Sequence, residues 1–204
     1  MLAPDVTAFV RAALPATPAR LLEVGAGSGE LADVLSRGGY DVVAIDPASQ
    51  SPAVRSVALH ELEEPAASFD AAIAVVSLHH VEPLPESCRK LGELVRSGGT
   101  LVVDEFDVER FDERAASWWL AQRRAAGFDE VRSPRELVAD LRNHLHPLHR
   151  LSVALNEWFF LGAPARASYL HRWDLPPGLR DAEDQLIGSG RLPATGARLV
   201  GTRR

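Results

Sequence analysis

Apolar residues follow two alternating spacings along the first half of the chain. Residues 20–24, 40–45 and 71–76 are nearly continuous apolar runs of strand length, as expected for strands buried on both faces. Between these runs, apolar residues recur every three or four positions, which is the spacing of a helix with one buried side. This alternation predicts an α/β fold with a parallel, doubly wound sheet and right-handed crossover connections.

The same patterns place the remaining elements. The sequence Ser133-Pro134-Arg135-Glu136 is a capping box with proline at the first helical position, so a helix is expected to begin there. The helix over 109–126 is expected to stack Phe111, Ala115, Trp118 and Gln122 along one side. Further strands are predicted at 54–59 and 100–103, and helices at 5–14, 30–37, from 84 to the turn at Gly98, 109–126, 133–145 and 181–187.

The first strand runs directly into three alternating glycines, Gly25, Gly27 and Gly29. Glycine permits positive φ and lets the backbone approach a ligand without an intervening Cβ. Asp46 follows at the tip of the next strand, where a carboxylate suits the two hydroxyls of a ribose. The pattern predicts a cofactor that contains a nucleoside. A dinucleotide is disfavoured, because Glu30 stands where its fingerprint has a third glycine and would repel a pyrophosphate.

The glycine run, with Glu23 two residues before it, resembles motif I of the class I S-adenosylmethionine-dependent methyltransferases. Residues 69–81 (FDAAIAVVSLHHV) resemble the fourth-strand motif of that family, and residues 96–103 resemble its turn into the fifth strand. The resemblance implies a Rossmann-like, seven-stranded, mostly parallel sheet with an antiparallel edge strand. Residues 152–161 and 196–201 would be its sixth and seventh strands. The implied cofactor is S-adenosylmethionine.

The candidate cofactor site collects residues at strand ends. Gly25, Asp46, Ser77 and Asp104 all fall at the carboxyl ends of predicted strands, where open α/β sheets bind ligands. Asp46 could instead only cap a turn before Pro47. The resemblance implies that Glu23 supports the methionine ammonium group, although it could be a plain surface charge. The predicted cofactor-binding residues are Glu23, Gly25, Ala26, Gly27, Gly29, Asp46, Pro47, Glu61 and Ser77.

Glu61 has the weakest basis in that set. It is assigned to the adenine because the family often carries an acid after the third strand. The alternative is a solvated run of charge from His60 to Glu64.

Methyl transfer from a sulfonium is an in-line displacement, which needs alignment, exclusion of water and in some cases a base. His79 and His80 follow the fourth-strand motif, and His80 is the first candidate for a general base. The alternative for both is a histidine that bonds to loop backbone and shapes the pocket. His144, His146 and His149 form an H-x-H-x-x-H cluster, but Pro147 interrupts it, so no metal site is expected.

Aromatic residues are concentrated in the second half of the chain. The run Trp158-Phe159-Phe160 could build an apolar pocket for the acceptor, although helix-spaced aromatics are more often core. The others are Trp118, Trp119, Tyr169 and Trp173.

The composition indicates which partners and which compartment suit this protein. The net charge of −6 and the single lysine argue against a nucleic-acid surface, and no apolar run is long enough to span a membrane. The lone Cys88 suits a reducing compartment, so we expect a cytoplasmic protein. The 204 residues are expected to form one methyltransferase domain, with a cofactor-binding half (1–106) and a substrate-side half (107–204). The abundance of alanine and arginine suggests a bacterial source.

These observations predict an enzyme that methylates an oxygen or nitrogen atom of a small molecule. Methylation of RNA or protein is a weaker hypothesis, because residues 77–80 lack the Asn/Asp-Pro-Pro-aromatic pattern of nucleobase amino-methylation. A related protein that binds the cofactor without catalysis is a further alternative. The sequence leaves the acceptor and the oligomeric state open.

Overall fold

The computed structural model describes residues 4–129 and 131–204. Strands and helices follow one another up to residue 106, with a 3-10 turn in place of an α-helix between residues 45 and 69. The strands are β1 (Arg20–Val24), β2 (Asp41–Ile45), β3 (Phe69–Val75), β4 (Val95–Phe106), β5 (Phe159–Leu161), β6 (Ala165–Ala167) and β7 (Gly196–Arg203). The helices are α1 (Pro4–Ala13), α2 (Glu30–Arg37), α3 (Leu84–Leu94), α4 (Glu113–Ala125), α5 (Pro134–His144), α6 (Leu148–Asn156) and α7 (Arg180–Gly188). Short 3-10 turns lie at Leu59–Glu61, Leu78–His80 and Leu170–Arg172.

The strands form one seven-stranded sheet in the order β2-β1-β3-β4-β7-β5, with β6 also paired to β7. The first four strands are parallel, and β7 runs antiparallel to β4. Helices α3 and α6 cover one face of the sheet, while α1 and α2 cover the other. The α/β fold class is therefore confirmed, and the carboxyl ends of β1, β2 and β3 meet at one edge of the sheet.

The strand predicted at 54–59 does not form. Only one bridge, between Ile45 and Arg55, joins this segment to β2. Val54 packs with Ala32 and Ala44 on the α2 side of the sheet, whereas Leu59 packs in the cluster on the α3 side. The segment therefore crosses the edge of the sheet, and its apolar residues serve two faces in turn.

The predicted sixth strand (152–161) is also wrong over most of its length. Leu148, Leu151 and Leu155 are buried at helical spacing, so α6 continues to Asn156 and only β5 is extended. The sheet has seven strands as predicted, but they are not the predicted seven. It includes β5 and β6, which both lie along the outer side of β7.

β5 and β6 are two halves of one interrupted edge strand. Leu161 lies opposite Gly201 and Ala165 opposite Arg198, so four steps on the edge strand match three on β7. The extra residue is a β-bulge at 162–164, and Pro164 within it has no backbone N–H to donate.

Helix α4 begins four residues later than predicted. The side chain of Asp112 accepts hydrogen bonds from the backbone N–H groups of Arg114 and Ala115, both at 3.0 Å, and so fixes the start of the helix. Trp119 is buried on this helix, whereas Trp118 is only half-buried. The capping box of α5 is present as predicted. No helix among the described residues combines the length and the apolar character needed to cross a lipid bilayer.

Two glycines on different helices allow a test of core packing. A Cβ at Gly92 in α3 would lie 2.6 Å from the Trp158 ring, whereas a Cβ at Gly188 in α7 would meet nothing within 4 Å. We expect Gly92→Ala to lower the free energy of unfolding by about 1–3 kcal/mol through overpacking. Gly188→Ala should be neutral or stabilising by up to about 1 kcal/mol. Urea denaturation of both variants measures this, and equal effects would contradict the packing described for α3.

Candidate active site

The glycine loop after β1 is fixed from two sides. The backbone N–H groups of Gly25 and Ala26 donate to the Ile45 carbonyl at 2.8 and 3.0 Å, which joins the loop to the end of β2. Gly25 has φ of +70°, and a Cβ placed on it would lie 2.2 Å from the Ser77 Cβ. Glycine is therefore required at position 25 both by conformation and by space.

Asp46 connects the glycine loop to the loop that follows β2. Its Oδ2 accepts a hydrogen bond from the Gly27 N–H at 2.9 Å, and its Oδ1 accepts one from the Ala48 N–H at 2.8 Å. The second bond is the turn that was the alternative to a ligand role. A carboxylate has about four lone-pair positions, so each oxygen can accept a further hydrogen bond.

Asp46 also faces a cavity of about 430 Å³ at the carboxyl ends of β1, β2 and β3. Its lining beyond β2 is apolar except for Asp46, and the lining after β3 carries the polar residues Ser77, His80 and Glu82. It is lined by Val24, Gly25, Ile45, Asp46, Pro47, Ala48, Val57, Ala58, Leu59, Val76, Ser77, His80, Val81 and Glu82.

A second cavity of about 200 Å³ lies beside the first and shares Gly25 with it. Ala26 and Gly27 line this cavity together with Glu23, whose side chain is almost completely buried. Gly29 is the N-cap of α2 and has φ of 85°. Gly25 therefore lines both cavities, Ala26 and Gly27 line the second, and Gly29 lines neither.

Glu23 carries an unsatisfied polar atom in this position. Its Oε2 is buried and has no hydrogen-bond partner among the described residues. Burial raises the pKa of Glu23 to about 8, while the Ala32 backbone N–H acts in the opposite direction. A buried carboxyl group of this kind gains a partner when a ligand brings a cationic group next to it.

The turn after β3 is held by a residue that the sequence did not single out as functional. Glu105 on β4 is completely buried, and its Oε1 accepts hydrogen bonds from the Ser77 and Leu78 N–H groups at 2.9 and 2.6 Å. Its Oε2 is bonded to Nδ1 of His79, which is also buried. The His79 ring thus contacts a buried carboxylate, and His79 does not line the main cavity. The only sequence signal for Glu105 was its position near the end of a strand.

His80 differs from His79 because it lines the main cavity and is exposed. Burial lowers the pKa of His80 below its ordinary value, and the His79 and His146 rings act in the same direction, while Glu105 opposes them. The imidazole of His80 is therefore neutral near pH 7 and can accept a proton from a group in the cavity.

Two acidic residues expected at the cofactor site, Glu61 and Asp104, have other surroundings in the structure. The side chain of Glu61 is largely exposed, lies 3.9 Å from His60, and does not line the cavity. Asp104 lies at the carboxyl end of β4 as expected, but both of its oxygens are bonded to arginines, Arg172 and Arg198, at 2.7 Å. Asp104 is therefore occupied by structural ion pairs.

The aromatic run also lies away from the site. Phe159 pairs with Arg203, and the neighbouring Thr202 pairs with Thr100. Thr100 lies opposite Ala71 near the start of β3, at the opposite end of the sheet from the cavity. Trp158 instead packs beside α3, and Phe160 is exposed. The acceptor pocket expected from this run is wrong.

The three histidines of the H-x-H-x-x-H cluster bond to different partners. His144 bonds to Asp140, His149 to Glu109, and His146 to Glu82 and the Val81 carbonyl. Among residues 4–129 and 131–204, no three metal-ligating side chains form a group that could hold a metal ion. His146 supports the segment after His80, and the other two lie on the surface.

Comparison with known proteins identifies the family. A family model described as "Methyltransferase domain" matches residues 2–144, which is more than half of the chain. The chain belongs to the class I S-adenosylmethionine-dependent methyltransferase family. The resemblance seen in the motifs is thus confirmed, and S-adenosylmethionine is the cofactor of this family.

Relatives of the methyltransferase differ in how much they share with it. It is 30% identical over 167 residues to an uncharacterized methyltransferase of Mycobacterium bovis, covering 69% of this chain and 83% of that protein. It is 36% identical over 96 residues to a ubiquinone biosynthesis O-methyltransferase of Methylocella silvestris, covering 40% of this chain and 38% of that protein. The chain thus matches well under half the length of this second relative.

The fold is shared with solved structures. An S-adenosylmethionine-dependent methyltransferase from Mesorhizobium loti superposes with a TM-score of 0.63 over 96% of this chain and 95% of that one, at 17% identity. At this identity the likeness concerns the fold alone.

The raised pKa of Glu23 predicts how the stability of this methyltransferase depends on pH. Because the pKa is about 8 in the folded protein and 4.5 ordinarily, the folded state keeps a proton that the unfolded chain loses between these values. Stability should fall as pH rises through this range, by up to about 1.4 kcal/mol per pH unit. Glu23→Gln should remove that slope. Urea denaturation of the wild type and of Glu23→Gln at pH 5.5 and pH 8 measures this pH dependence. An equal change in the free energy of unfolding in the two proteins would contradict the raised pKa of Glu23.

Proposed function

We propose that this methyltransferase transfers a methyl group from S-adenosylmethionine to an oxygen or nitrogen atom of a small molecule. The observation that carries the proposal is the buried Glu23 carboxyl group, whose Oε2 has no partner among the described residues, beside a glycine loop whose other side holds Asp46. A ligand with a cationic end and a ribose satisfies both carboxylates at once.

The residues present suit each part of this cofactor. Glu23 would pair with the ammonium group, and Asp46 would accept hydrogen bonds from the ribose hydroxyls. Pro47, Val57 and Leu59 offer an apolar surface to the adenine. Apart from Asp46, no described residue places a carboxylate beside this surface of the cavity, so adenine recognition there would rest on packing and backbone groups.

When bound, the cofactor supplies an electrophilic methyl group, so the protein has to orient the acceptor and exclude water. His80 faces the same cavity and is neutral near pH 7. A hydroxyl or neutral amine loses a proton when it is methylated, and a ring nitrogen of His80 can accept that proton. This arrangement favours acceptors that ionise with difficulty by themselves, such as hydroxyl groups.

We also propose that residues 107–204 supply the acceptor side. Val76 lines the cavity and packs against an aromatic cluster beyond it, formed by Phe106, Phe111, Trp119, Tyr169 and Trp173. Most of these rings are buried, so the cluster would form an apolar wall behind Val76, and a flat, apolar acceptor would contact Val76 in front of it. The relatives named ubiquinone biosynthesis O-methyltransferase support an oxygen acceptor, and the charge of −6 disfavours RNA.

Replacing Asp46 tests the ribose contact. We expect Asp46→Ala to weaken binding of S-adenosylhomocysteine by roughly 10- to 100-fold, the effect of losing hydrogen bonds to a charged group. Ser49→Ala is the matched control, because Ser49 Oγ also connects the two loops, by a 2.6 Å bond to the Gly27 carbonyl, but does not line the main cavity. Isothermal titration calorimetry measures both affinities. Equal weakening by the two variants would mean that Asp46 only holds the loops together.

Turnover with a panel of phenols, alcohols and amines tests catalysis. Mass spectrometry should detect S-adenosylhomocysteine and a methylated product with at least one acceptor. With a hydroxyl acceptor the rate should rise with pH below about 6.5 and then level off, because the pKa of His80 lies below its ordinary value. His80→Gln should lower the rate by about 10²- to 10⁴-fold with little change in cofactor affinity. Cofactor binding without turnover on any acceptor would favour a non-catalytic role.

A further inference from the structure

Two buried glutamates hold two 3-10 turns in the same way. Glu105 accepts hydrogen bonds from the N–H groups at the start of the Leu78–His80 turn and is bonded to Nδ1 of His79. Glu183 on α7 accepts hydrogen bonds from the N–H groups of residues 169–171, at 2.8 to 3.0 Å, and is bonded to Nδ1 of His171 at 2.8 Å. Both carboxylates are completely buried.

The two turns also share backbone geometry and local sequence. Ser77 precedes the first turn with φ and ψ of −135° and −37°, and Tyr169 precedes the second with −138° and −37°. Each turn begins with Leu-His. The second turn is therefore a reference for what such a glutamate contributes at a turn outside the cavity wall, although its Arg172 bonds Asp104 next to Glu105.

The turns differ in what they adjoin. Ser77 and His80 line the cofactor cavity, whereas none of Tyr169, Leu170 and His171 does. Ser77 also donates a hydrogen bond through Oγ to the Val24 carbonyl at 2.8 Å, directly before the glycine loop. Ser77 therefore connects Glu105 to the cofactor site, because it bonds to Glu105 through its N–H and to Val24 through its Oγ.

Val76, just before the first turn, has φ of +53°, which is strained for a β-branched residue. Such a conformation persists only where its surroundings fix it. The N–H of Val76 donates to the Asp104 carbonyl at 2.7 Å, and the next two N–H groups, of Ser77 and Leu78, donate to Glu105. Residues 104 and 105 of β4 thus hold three successive amides of this segment.

We propose that Glu105 is a positioning residue for the active site: through the Ser77 and Leu78 amides and the His79 ring it holds Ser77 against Gly25 and keeps His80 in the cofactor cavity. This role rests on the proposed function, because it requires that the cavity bind the cofactor. Glu105 does not itself line the cavity.

Two glutamate-to-glutamine variants test the role. In Glu105→Gln the amide oxygen can still accept from Ser77 and Leu78, but the amide nitrogen can no longer accept from Nδ1 of His79. We expect a dissociation constant for S-adenosylhomocysteine at least tenfold higher than in the wild type, and a His79 tautomer change visible in ¹⁵N NMR spectra. Glu183→Gln makes the same chemical change at the reference turn. It should lower the thermal stability about as much as Glu105→Gln does, but it should leave the affinity for S-adenosylhomocysteine unchanged.

A second pair of variants keeps Glu105 in place. His79→Asn retains a donor near the position of Nδ1, whereas His79→Leu of similar size has none. The asparagine variant should bind S-adenosylhomocysteine at least fivefold more tightly than the leucine variant. This pair decides the question if Glu105→Gln does not fold.

The outcomes separate this role from the proposed function. Equal affinity in the wild type and Glu105→Gln, or equal weakening by Glu105→Gln and Glu183→Gln, would overturn the positioning role alone. Equal affinity of the two His79 variants would do the same. Failure of the wild type to bind S-adenosylhomocysteine would overturn the proposed function and this role with it.

Discussion

The site depends on the close approach of two neighbouring strand ends. β1 and β3 are adjacent and parallel, so Gly25 and Ser77 leave the sheet side by side, with no space for a Cβ on residue 25. This contact brings the glycine loop and the turn after β3 together. Asp46 then fixes the other side of the loop to the end of β2. Three strand ends thus share one cavity.

Local patterns in the sequence were sufficient for the elements that carry the site. The bounds of β1 and α2 agree with prediction, because an apolar run followed by glycines and an amphipathic helix has few alternatives. The errors lie where tertiary packing decides. The segment at 54–59 has the composition of a strand, but its apolar residues Val54 and Leu59 contact opposite faces of the sheet. Residues 152–161 were assigned to a strand by analogy with the family, although the buried leucines at 148, 151 and 155 have helical spacing.

The residues of the site were predictable to the extent that they belong to a motif. Gly25, Asp46 and Ser77 have fixed offsets from strands, and all three line the cavity. Glu105 has no such offset. Its role arises from pairing between β3 and β4 and from the turn that follows β3, which are contacts between residues about 26 to 28 positions apart. A sequence shows that an acid stands near a strand end, but not which amides it will meet.

The buried carboxylates distinguish structure from function. Asp104 is compensated by two arginines, and Glu105 and Glu183 each accept several backbone and imidazole N–H bonds. These bonds offset the free-energy cost of desolvating the carboxylates, so a ligand is not needed to compensate them. Glu23 is equally buried, yet one of its oxygens has no partner among the described residues and its pKa is raised to about 8. An uncompensated carboxyl group destabilises the free protein, and a cationic ligand would remove that cost. The uncompensated carboxyl group of Glu23 and the glycine motif thus indicate a ligand site at the same end of the glycine loop.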